Sequence, residues 1–277
     1  MPARSLFDVL RRGAAPDGRR LPRLIIPGAM KAGTTSLFEY LNGHPQLVPS
    51  REKEIHYFDM HFHRGTGWYT RQFPRPRGTD GAAALPFESS PYYLFEPRVP
   101  ARVRAVVPDV KLVVLLRDPV DRAFSHYHNN RRLGREELAF EDAIAAEEER
   151  LAGEEERLLA DPRAVSLRHK WYSYLRRGLY AEQLLRWRAC FPAEQMFFVD
   201  AGRLFAEPRA VLAEVLAFLE VDPWEPPNVS PRNEGGHGGA MRPETRSLLE
   251  AFFAPHERRL AELIGWSPSA RRLRRAA

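Results

Sequence analysis

The chain has 277 residues, 44% of them apolar, and this length and composition suffice for the core of one α/β domain. Its single cysteine, Cys190, excludes an intrachain disulfide and a zinc site built from cysteines. No run approaches the roughly 20 apolar residues that a membrane-spanning helix requires, and the net charge of +6 favours an anionic ligand.

The basic residues do not follow the pattern of a nucleic-acid-binding protein. Four of the 42 lysines and arginines, equal to much of the net excess of +6, lie in the C-terminal tail, residues 268–277, and the chain has no zinc-finger spacing, RNA-binding motif or repeated basic helix. The N-terminal segment, residues 1–20, is polar and arginine-rich and lacks the continuous apolar core of a signal peptide. We therefore predict a cytoplasmic protein with one domain over residues 21–267 and no nucleic-acid partner. The sequence does not indicate an oligomeric state.

Residues 24–37 have the pattern of a strand, a glycine-bounded loop and the start of a helix. Gly28 and Gly33 let the backbone approach an anion, which the free N–H groups and dipole of the helix would attract. The spacing of the two glycines matches a nucleotide P-loop, but Thr34 follows the second glycine where a lysine is usual. The lysine comes earlier, as Lys31. The stretch therefore predicts an anion site and argues against an ordinary ATP or GTP hydrolase.

Residues 51–59 alternate polar and apolar side chains near the expected carboxyl edge of the sheet, where open α/β sheets bind ligands. Glu54 could act as a general base, with His56 orienting it or substituting for it. The alternative is structural: Glu54 pairs with Lys53 or Arg51 on a solvated loop, and His56 packs beneath a neighbouring aromatic ring.

Residues 111–116 are the clearest buried parallel strand in the chain. Arg117 follows at the strand's carboxyl end, and Ser125 lies two turns into the next helix. Both side chains can meet one anion if the chain turns sharply at Asp118 and Pro119. These two residues also suit a helix cap and first helical position, and the two interpretations are compatible.

The sequence pattern of the C-terminal half predicts further helices and strands of an α/β domain. We expect a long helix over 171–191, a buried strand over 195–199 and a final amphipathic helix over 243–264. Residues 228–242, with four glycines, are interpreted either as a lid that bound nucleotide orders or as a linker.

In this order, the motifs resemble those of sulfotransferases that use 3′-phosphoadenosine 5′-phosphosulfate (PAPS), especially the heparan sulfate 3-O and N types. Residues 27–36, Pro-Gly-x-x-Lys-x-Gly-Thr-Thr-Ser, resemble that family's 5′-phosphosulfate loop. Residues 53–58 resemble its Lys-Glu-x-His-Phe-Phe segment, and residues 117–125 its 3′-phosphate motif. The resemblance extends from residue 24 to residue 266, and the chain resembles a free-standing bacterial member.

The resemblance implies a P-loop-like, three-layer α/β fold with a mainly parallel central sheet flanked by helices. It implies sulfuryl transfer from PAPS to a hydroxyl or amine of a saccharide or small metabolite, with adenosine 3′,5′-bisphosphate (PAP) as product and no metal ion. Glu54 would be the base, His56 a second candidate, and Lys31 would stabilise charge on the bridging oxygen. The donor-binding residues would be Lys31, Ala32, Gly33, Thr34, Thr35 and Ser36 for the phosphosulfate, Arg117 and Ser125 for the 3′-phosphate, and Arg232, Asn233, Gly235 and Gly236 in the lid.

One departure from the family pattern bears on the chemistry. Ser89 stands where the family has a lysine that positions the reacting groups, so Lys31 acts alone or a cation arrives from elsewhere. Two other classes remain open: a P-loop nucleotide kinase and a nucleotide-binding protein without catalysis. The kinase is disfavoured by Thr34 at the usual lysine position and by Arg117 where a carboxylate is expected.

Overall fold

A five-stranded parallel sheet forms the centre of the molecule. The computed structural model describes residues 20–74, 84–230 and 239–268. The strands are β1 (Leu24–Gly28), β2 (Leu47–Pro49), β3 (Leu85–Ser89), β4 (Lys111–Leu116) and β5 (Met196–Asp200). Their order across the sheet is β2-β3-β1-β4-β5, and every neighbouring pair is parallel. The predicted α/β fold with a mainly parallel sheet is confirmed.

Helices connect and follow the strands. They are α1 (Thr34–Leu41), α2 (Gly65–Thr70), α3 (Val99–Val106), α4 (Pro119–Arg132), α5 (Phe140–Ala145), α6 (Glu147–Leu151), α7 (Glu154–Ala160), α8 (Leu167–Trp171), α9 (Tyr180–Arg188), α10 (Ala201–Ala206), α11 (Pro208–Leu219) and α12 (Pro243–Ile264). The central strands β1 and β4 are continuous apolar runs because both faces of a parallel sheet are covered, and Leu112 to Leu116 are all fully buried. The carboxyl ends of β1 and β4 lie side by side, which brings the loops that follow them together.

The predicted long helix over 171–191 is wrong. The chain instead leaves α8 at Trp171, makes a 3₁₀ turn over Arg176–Gly178 and starts α9 at Tyr180. The cause is the buried carboxylate of Glu147, which accepts hydrogen bonds from the N–H groups of Leu175 (2.6 Å) and Arg176 (2.8 Å). These backbone donors are the ones that a continuous helix would use within itself.

Gly178 is required by packing. A Cβ built there would lie 2.6 Å from Phe253 and 2.9 Å from Pro119, so α12 and the start of α4 both press on this position. We expect Gly178→Ala to lower the free energy of unfolding by about 1–3 kcal/mol through overpacking, measured by urea denaturation. Gly67→Ala is the control, because a Cβ there meets nothing closer than 3.9 Å. Equal stability of the two variants would contradict this account.

Some predictions fall on residues outside the described ranges. They are the lid residues Arg232, Asn233, Gly235 and Gly236, nearly all of the N-terminal segment and residues 269–277 of the tail. Among the described residues, no helix is long and apolar enough to cross a membrane.

Candidate active site

The loop between β1 and α1 presents a helix N-terminus and a lysine to one cavity. Gly33, at φ 90°, is the residue that turns the chain into α1, and no side chain caps the helix there. The first N–H groups of a helix point beyond its N-terminus, and together with the helix dipole they favour an anion there. Lys31 also has a left-handed backbone, with φ 69°, and its side chain lines the cavity with Thr34 and Thr35. Ala32 and Ser36 are fully buried and support the loop from behind.

The β4–α4 turn supplies a second basic group. Asp118 caps α4 by accepting hydrogen bonds from the N–H groups of Val120 and Asp121, both at 3.0 Å, and Pro119 occupies the first turn. This sharp turn leaves Arg117 at the carboxyl end of β4, where its guanidinium donates to the carbonyl of Lys31 at 3.0 Å. Arg117 therefore ties the two loops together.

A single cavity of about 430 Å³ joins these loops. Lys31, Gly33, Thr34 and Thr35 line one part of it, and Arg117 and Ser125 line another, with Glu54 and His56 also on its wall. The helix turn between Arg117 and Ser125 thus directs both side chains into the same space. Most of the predicted donor residues outside the lid therefore line the same cavity as the predicted base, whereas Ala32 and Ser36 do not line it.

The Glu54 carboxylate lies between two basic groups. Its Oε1 is 2.9 Å from Lys53 Nζ, and its Oε2 is 3.4 Å from His56 Nε2. Burial alone would raise the pKa of Glu54, but the hydrogen bonds from His56 and Lys53 outweigh this effect and lower it to about 2. At neutral pH Glu54 is therefore ionised and able to accept a proton. The pairing with Lys53 expected of a structural role is present as well, so the two interpretations coexist.

His56 is held by a buried carboxylate. Its Nδ1 is 2.7 Å from Asp59 Oδ2, whose side chain is fully buried. Burial would lower the pKa of His56, but hydrogen bonds to Asp59 and Glu54 raise it to about 9. The imidazole therefore stays protonated at neutral pH, which fits orientation of Glu54 better than replacement of it as base.

Backbone contacts fix Glu54 and His56 in an uncommon conformation. Glu54 (φ 64°) and His56 (φ 53°) both adopt left-handed backbones, which non-glycine residues rarely do and which cluster at functional sites. The Glu54 N–H donates to the Ser89 carbonyl at 3.0 Å, and the His56 N–H to Ser90 Oγ at 3.3 Å. Ser90 in turn donates to the buried Glu88 carboxylate at 2.8 Å. The end of β3 thus positions the proposed base through main-chain contacts.

Several cavity residues were not assigned to the donor or to catalysis from the sequence. Lys170 and Trp171 come from the end of α8, Arg135 from the loop after α4, and Phe205 from α10. Arg177, which lies in a family-like pattern, is also on the wall and is buried between Tyr92 (4.9 Å) and Phe95 (5.3 Å). No local pattern marks Lys170, Trp171, Arg135 or Phe205, because the fold brings them to the site from more than 70 residues after Glu54.

The cavity is strongly cationic. Burial lowers the pKa of Lys31, and the nearby charges of Arg132 and Arg117 lower it further, while Glu54 opposes them. Basic groups that depress one another's pKa form a region where an anion is stabilised. Within the described ranges, no group of three or more His, Cys, Asp or Glu residues could hold a metal ion. The arrangement can therefore bind a polyanion beside an ionised carboxylate.

Comparison with known proteins finds relatives that are all named as sulfotransferases. The family model described as a sulfotransferase domain matches residues 21–227. Mouse heparan sulfate glucosamine 3-O-sulfotransferase 3B1 is 34% identical over 201 residues, which are 73% of this chain and 46% of the mouse protein. Human bifunctional heparan sulfate N-deacetylase/N-sulfotransferase 3 is 34% identical over 211 residues, which are 74% of this chain and 23% of the human protein.

One solved structure matches most of this chain and nearly all of its own length. The crystal structure of a sulfotransferase from Alicyclobacillus acidocaldarius is 33% identical, with a TM-score of 0.73 over 91% of this chain and 99% of that one. By contrast, this chain spans less than half the length of the two curated relatives named above.

Proposed function

The chain belongs to the sulfotransferase family, and from that premise we propose that it transfers a sulfuryl group from PAPS to a hydroxyl or amine of a saccharide. The observation that carries this proposal is the shared cavity, in which the loop before α1, the β4–α4 turn and Glu54 converge. PAPS is a mononucleotide with a 3′-phosphate and a 5′-phosphosulfate, and these two anionic groups need two separate anion sites. Lys31 with the α1 N-terminus and Arg117 with Ser125 fit those two requirements.

The donor would lie with its phosphosulfate on the α1 N-terminus and its 3′-phosphate on Arg117 and Ser125. Arginine suits the 3′-phosphate because its fork donates two charge-assisted hydrogen bonds. Phe205 offers an aromatic ring on the same wall, close to Gly33, where a purine base could stack. PAP would remain in the same contacts after transfer.

The reaction is an in-line displacement at sulfur. The acceptor oxygen or nitrogen forms a bond to sulfur while the bond from sulfur to the bridging oxygen breaks, and its electron pair stays on the 5′-phosphate of PAP. The acceptor proton passes to the Glu54 carboxylate, which is ionised and faces the cavity. Lys31 stabilises the charge that develops on the bridging oxygen.

The proposed acceptor is a saccharide because the curated relatives are named for heparan sulfate and the cavity is consistent with one. Trp171, with Arg135 stacked on its ring at 4.7 Å, lines the same cavity as Glu54. An aromatic face beside cations suits a sugar ring that carries an acidic group. A screen of oligosaccharide acceptors would determine whether an oxygen or a nitrogen is sulfated.

The first test is the selectivity of nucleotide binding. We expect PAP to bind more tightly than ATP, which lacks a 3′-phosphate, in a calorimetric titration of the wild-type chain. Arg117→Ala should weaken PAP binding by about 10- to 100-fold, since hydrogen bonds between charged groups contribute roughly 1.5–3 kcal/mol. Arg104→Ala is the control, because Arg104 is exposed on α3 and donates to the Pro108 carbonyl.

Two results would overturn the proposal. A preference for ATP over PAP, or unchanged PAP binding in Arg117→Ala, would favour the nucleotide kinase instead. If PAP binds as expected, a screen of oligosaccharides with PAPS then tests turnover, and selective PAP binding without any transfer would favour the nucleotide-binding protein without catalysis.

A further inference from the structure

Resting on the proposed function, we propose that Lys170 is a second catalytic lysine, whose ammonium binds the transferring sulfuryl group from the acceptor side. Lys31 would act on the bridging oxygen at the leaving side. The two lysines lie on loops far apart in the chain and line one cavity with Glu54.

The position of Lys170 carries the proposal. Its Nζ lies 3.1 Å from His56 Nε2, and that ring nitrogen lies 3.4 Å from the carboxylate of Glu54. The ammonium is therefore beside the group that defines the acceptor side of the site. It is half-buried at the end of α8, and its Nζ also contacts Met60 Sδ at 3.3 Å and lies 5.8 Å from the Tyr92 ring.

The backbone beneath Lys170 is held firmly. Its carbonyl accepts a hydrogen bond from the guanidinium of Arg177, which is itself buried and also donates to Ser173 Oγ at 2.8 Å. A lysine anchored in this way loses less conformational freedom when it binds a ligand than one on an exposed loop.

The charges around Lys170 Nζ and His56 Nε2 favour a bound anion beside these two nitrogens. Lys170 Nζ and His56 Nε2 lie 3.1 Å apart and repel each other when both are protonated, although the nearby Asp59 and Glu54 carboxylates offset part of that repulsion. Burial lowers the pKa of Lys170, while Asp59 and Glu54 raise it. An oxygen of a sulfuryl group placed against both nitrogens would relieve their repulsion.

The chemistry gives this contact a role in the transition state. During in-line transfer the sulfur and its three outer oxygens move from the donor towards the acceptor. The attraction between these oxygens and a cation on the acceptor side therefore increases as the reaction proceeds. Glu54 loses its negative charge when it takes the acceptor proton. The Lys170 ammonium then has the sulfuryl oxygens as its remaining anionic partner in the cavity besides the product phosphate. An interaction that strengthens along the reaction accelerates it.

The assignment of Lys170 also accounts for Ser89, which stands where the family has a lysine. Ser89 is fully buried, its hydroxyl has no hydrogen-bond partner among the described residues, and it does not line the cavity. It therefore cannot do what a lysine would do at the end of β3. In this chain the ammonium reaches the site from α8 instead.

The test uses orthovanadate, which adopts the five-coordinate geometry of in-line transfer, added to the complex of the full chain with PAP. We expect Lys170→Met to weaken vanadate binding in that complex by about 10- to 100-fold, while the Kd of PAP alone changes less than about threefold. Lys170→Arg should restore most of the vanadate affinity, and Lys111→Met, a lysine paired with Glu220 at 2.9 Å, should have no effect. In PAPS turnover, Lys170→Met should lower kcat by a similar factor.

The possible failures are distinguishable. Unchanged vanadate affinity in Lys170→Met overturns the assignment of Lys170, even if turnover falls, because Lys170 then only holds His56. Loss of PAP binding in Lys170→Met together with Lys170→Arg also overturns it, since that pattern indicates a structural role. Failure of the wild-type chain to bind PAP overturns the proposed function and this assignment together.

Discussion

Replacing Glu54 with glutamine is expected to lower kcat by about 10³-fold, within the range of roughly 10²–10⁴ that positioned general bases contribute. The amide has the size of the carboxylate and can still accept a hydrogen bond from Lys53, so the loop should keep its shape. It cannot accept the acceptor proton. The measurement is transfer of labelled sulfate from PAPS to a glucosamine-containing oligosaccharide at saturating PAPS.

The same variant should leave nucleotide binding intact. Glu54 raises the pKa of Lys31 by its negative charge, so removing that charge makes the cavity more attractive to an anion, and PAP should bind equally well or slightly better. Glu52→Gln, an exposed acidic residue on the same loop, is the matched control and should behave as wild type. Full turnover by Glu54→Gln would remove Glu54 as the base, and His56 would be tested next.

The low pKa of Glu54 does not prevent this role. A carboxylate with a pKa of about 2 is a weak base towards a free hydroxyl. The acceptor oxygen becomes strongly acidic, however, once its bond to sulfur begins to form, so a weak base that is always ionised can remove the proton at that stage. The protonated His56 and Lys53 keep Glu54 in the required state before the acceptor arrives.

The parts of the site that could be predicted from the sequence are those that local rules determine. Gly33 opens a helix, Asp118 and Pro119 cap one, and the apolar run of β4 ends at Arg117, so neighbouring residues alone indicate two anion sites. Parallel strand pairing then brings the two loops together at one edge of the sheet. Both loops were therefore predicted, and the cavity joins them as expected.

The parts that could not be predicted depend on contacts between distant segments. The break between α8 and α9 arises because the Glu147 carboxylate, 28 residues earlier, takes the N–H of Leu175. Residues 147–149 read as three surface glutamates, and nothing in them marks Glu147 as the buried one. Lys170 lies 3.1 Å from His56 although 114 residues separate them, and this contact likewise joins distant segments. Tertiary packing overrode helix periodicity here, and it placed Lys170 and Trp171 on the wall of the cavity.

Replacing Lys31 with methionine is expected to lower kcat by about 10²–10³-fold, the usual effect of removing one group that stabilises developing charge. Methionine keeps most of the apolar stem of the side chain, and the carbonyl of residue 31 still accepts the hydrogen bond from Arg117. The left-handed backbone at φ 69° is equally unfavourable for both side chains, so loop strain is unchanged. Single-turnover transfer from PAPS measures the chemical step directly.

A comparison of PAP binding with the rate of transfer from PAPS separates a catalytic role of Lys31 from a role in nucleotide binding. If Lys31 acts on the bridging oxygen, its loss should slow transfer far more than it weakens PAP, because PAP lacks the sulfuryl group and keeps Arg117, Ser125 and the α1 N-terminus. Lys111→Met is the control, since Lys111 starts β4 at the opposite end of the strand from the cavity. Equal losses in PAP affinity and in the rate of transfer would mean that Lys31 only holds the nucleotide. Charge stabilisation would then fall to the α1 N–H groups, which a change in any side chain of the loop would leave in place.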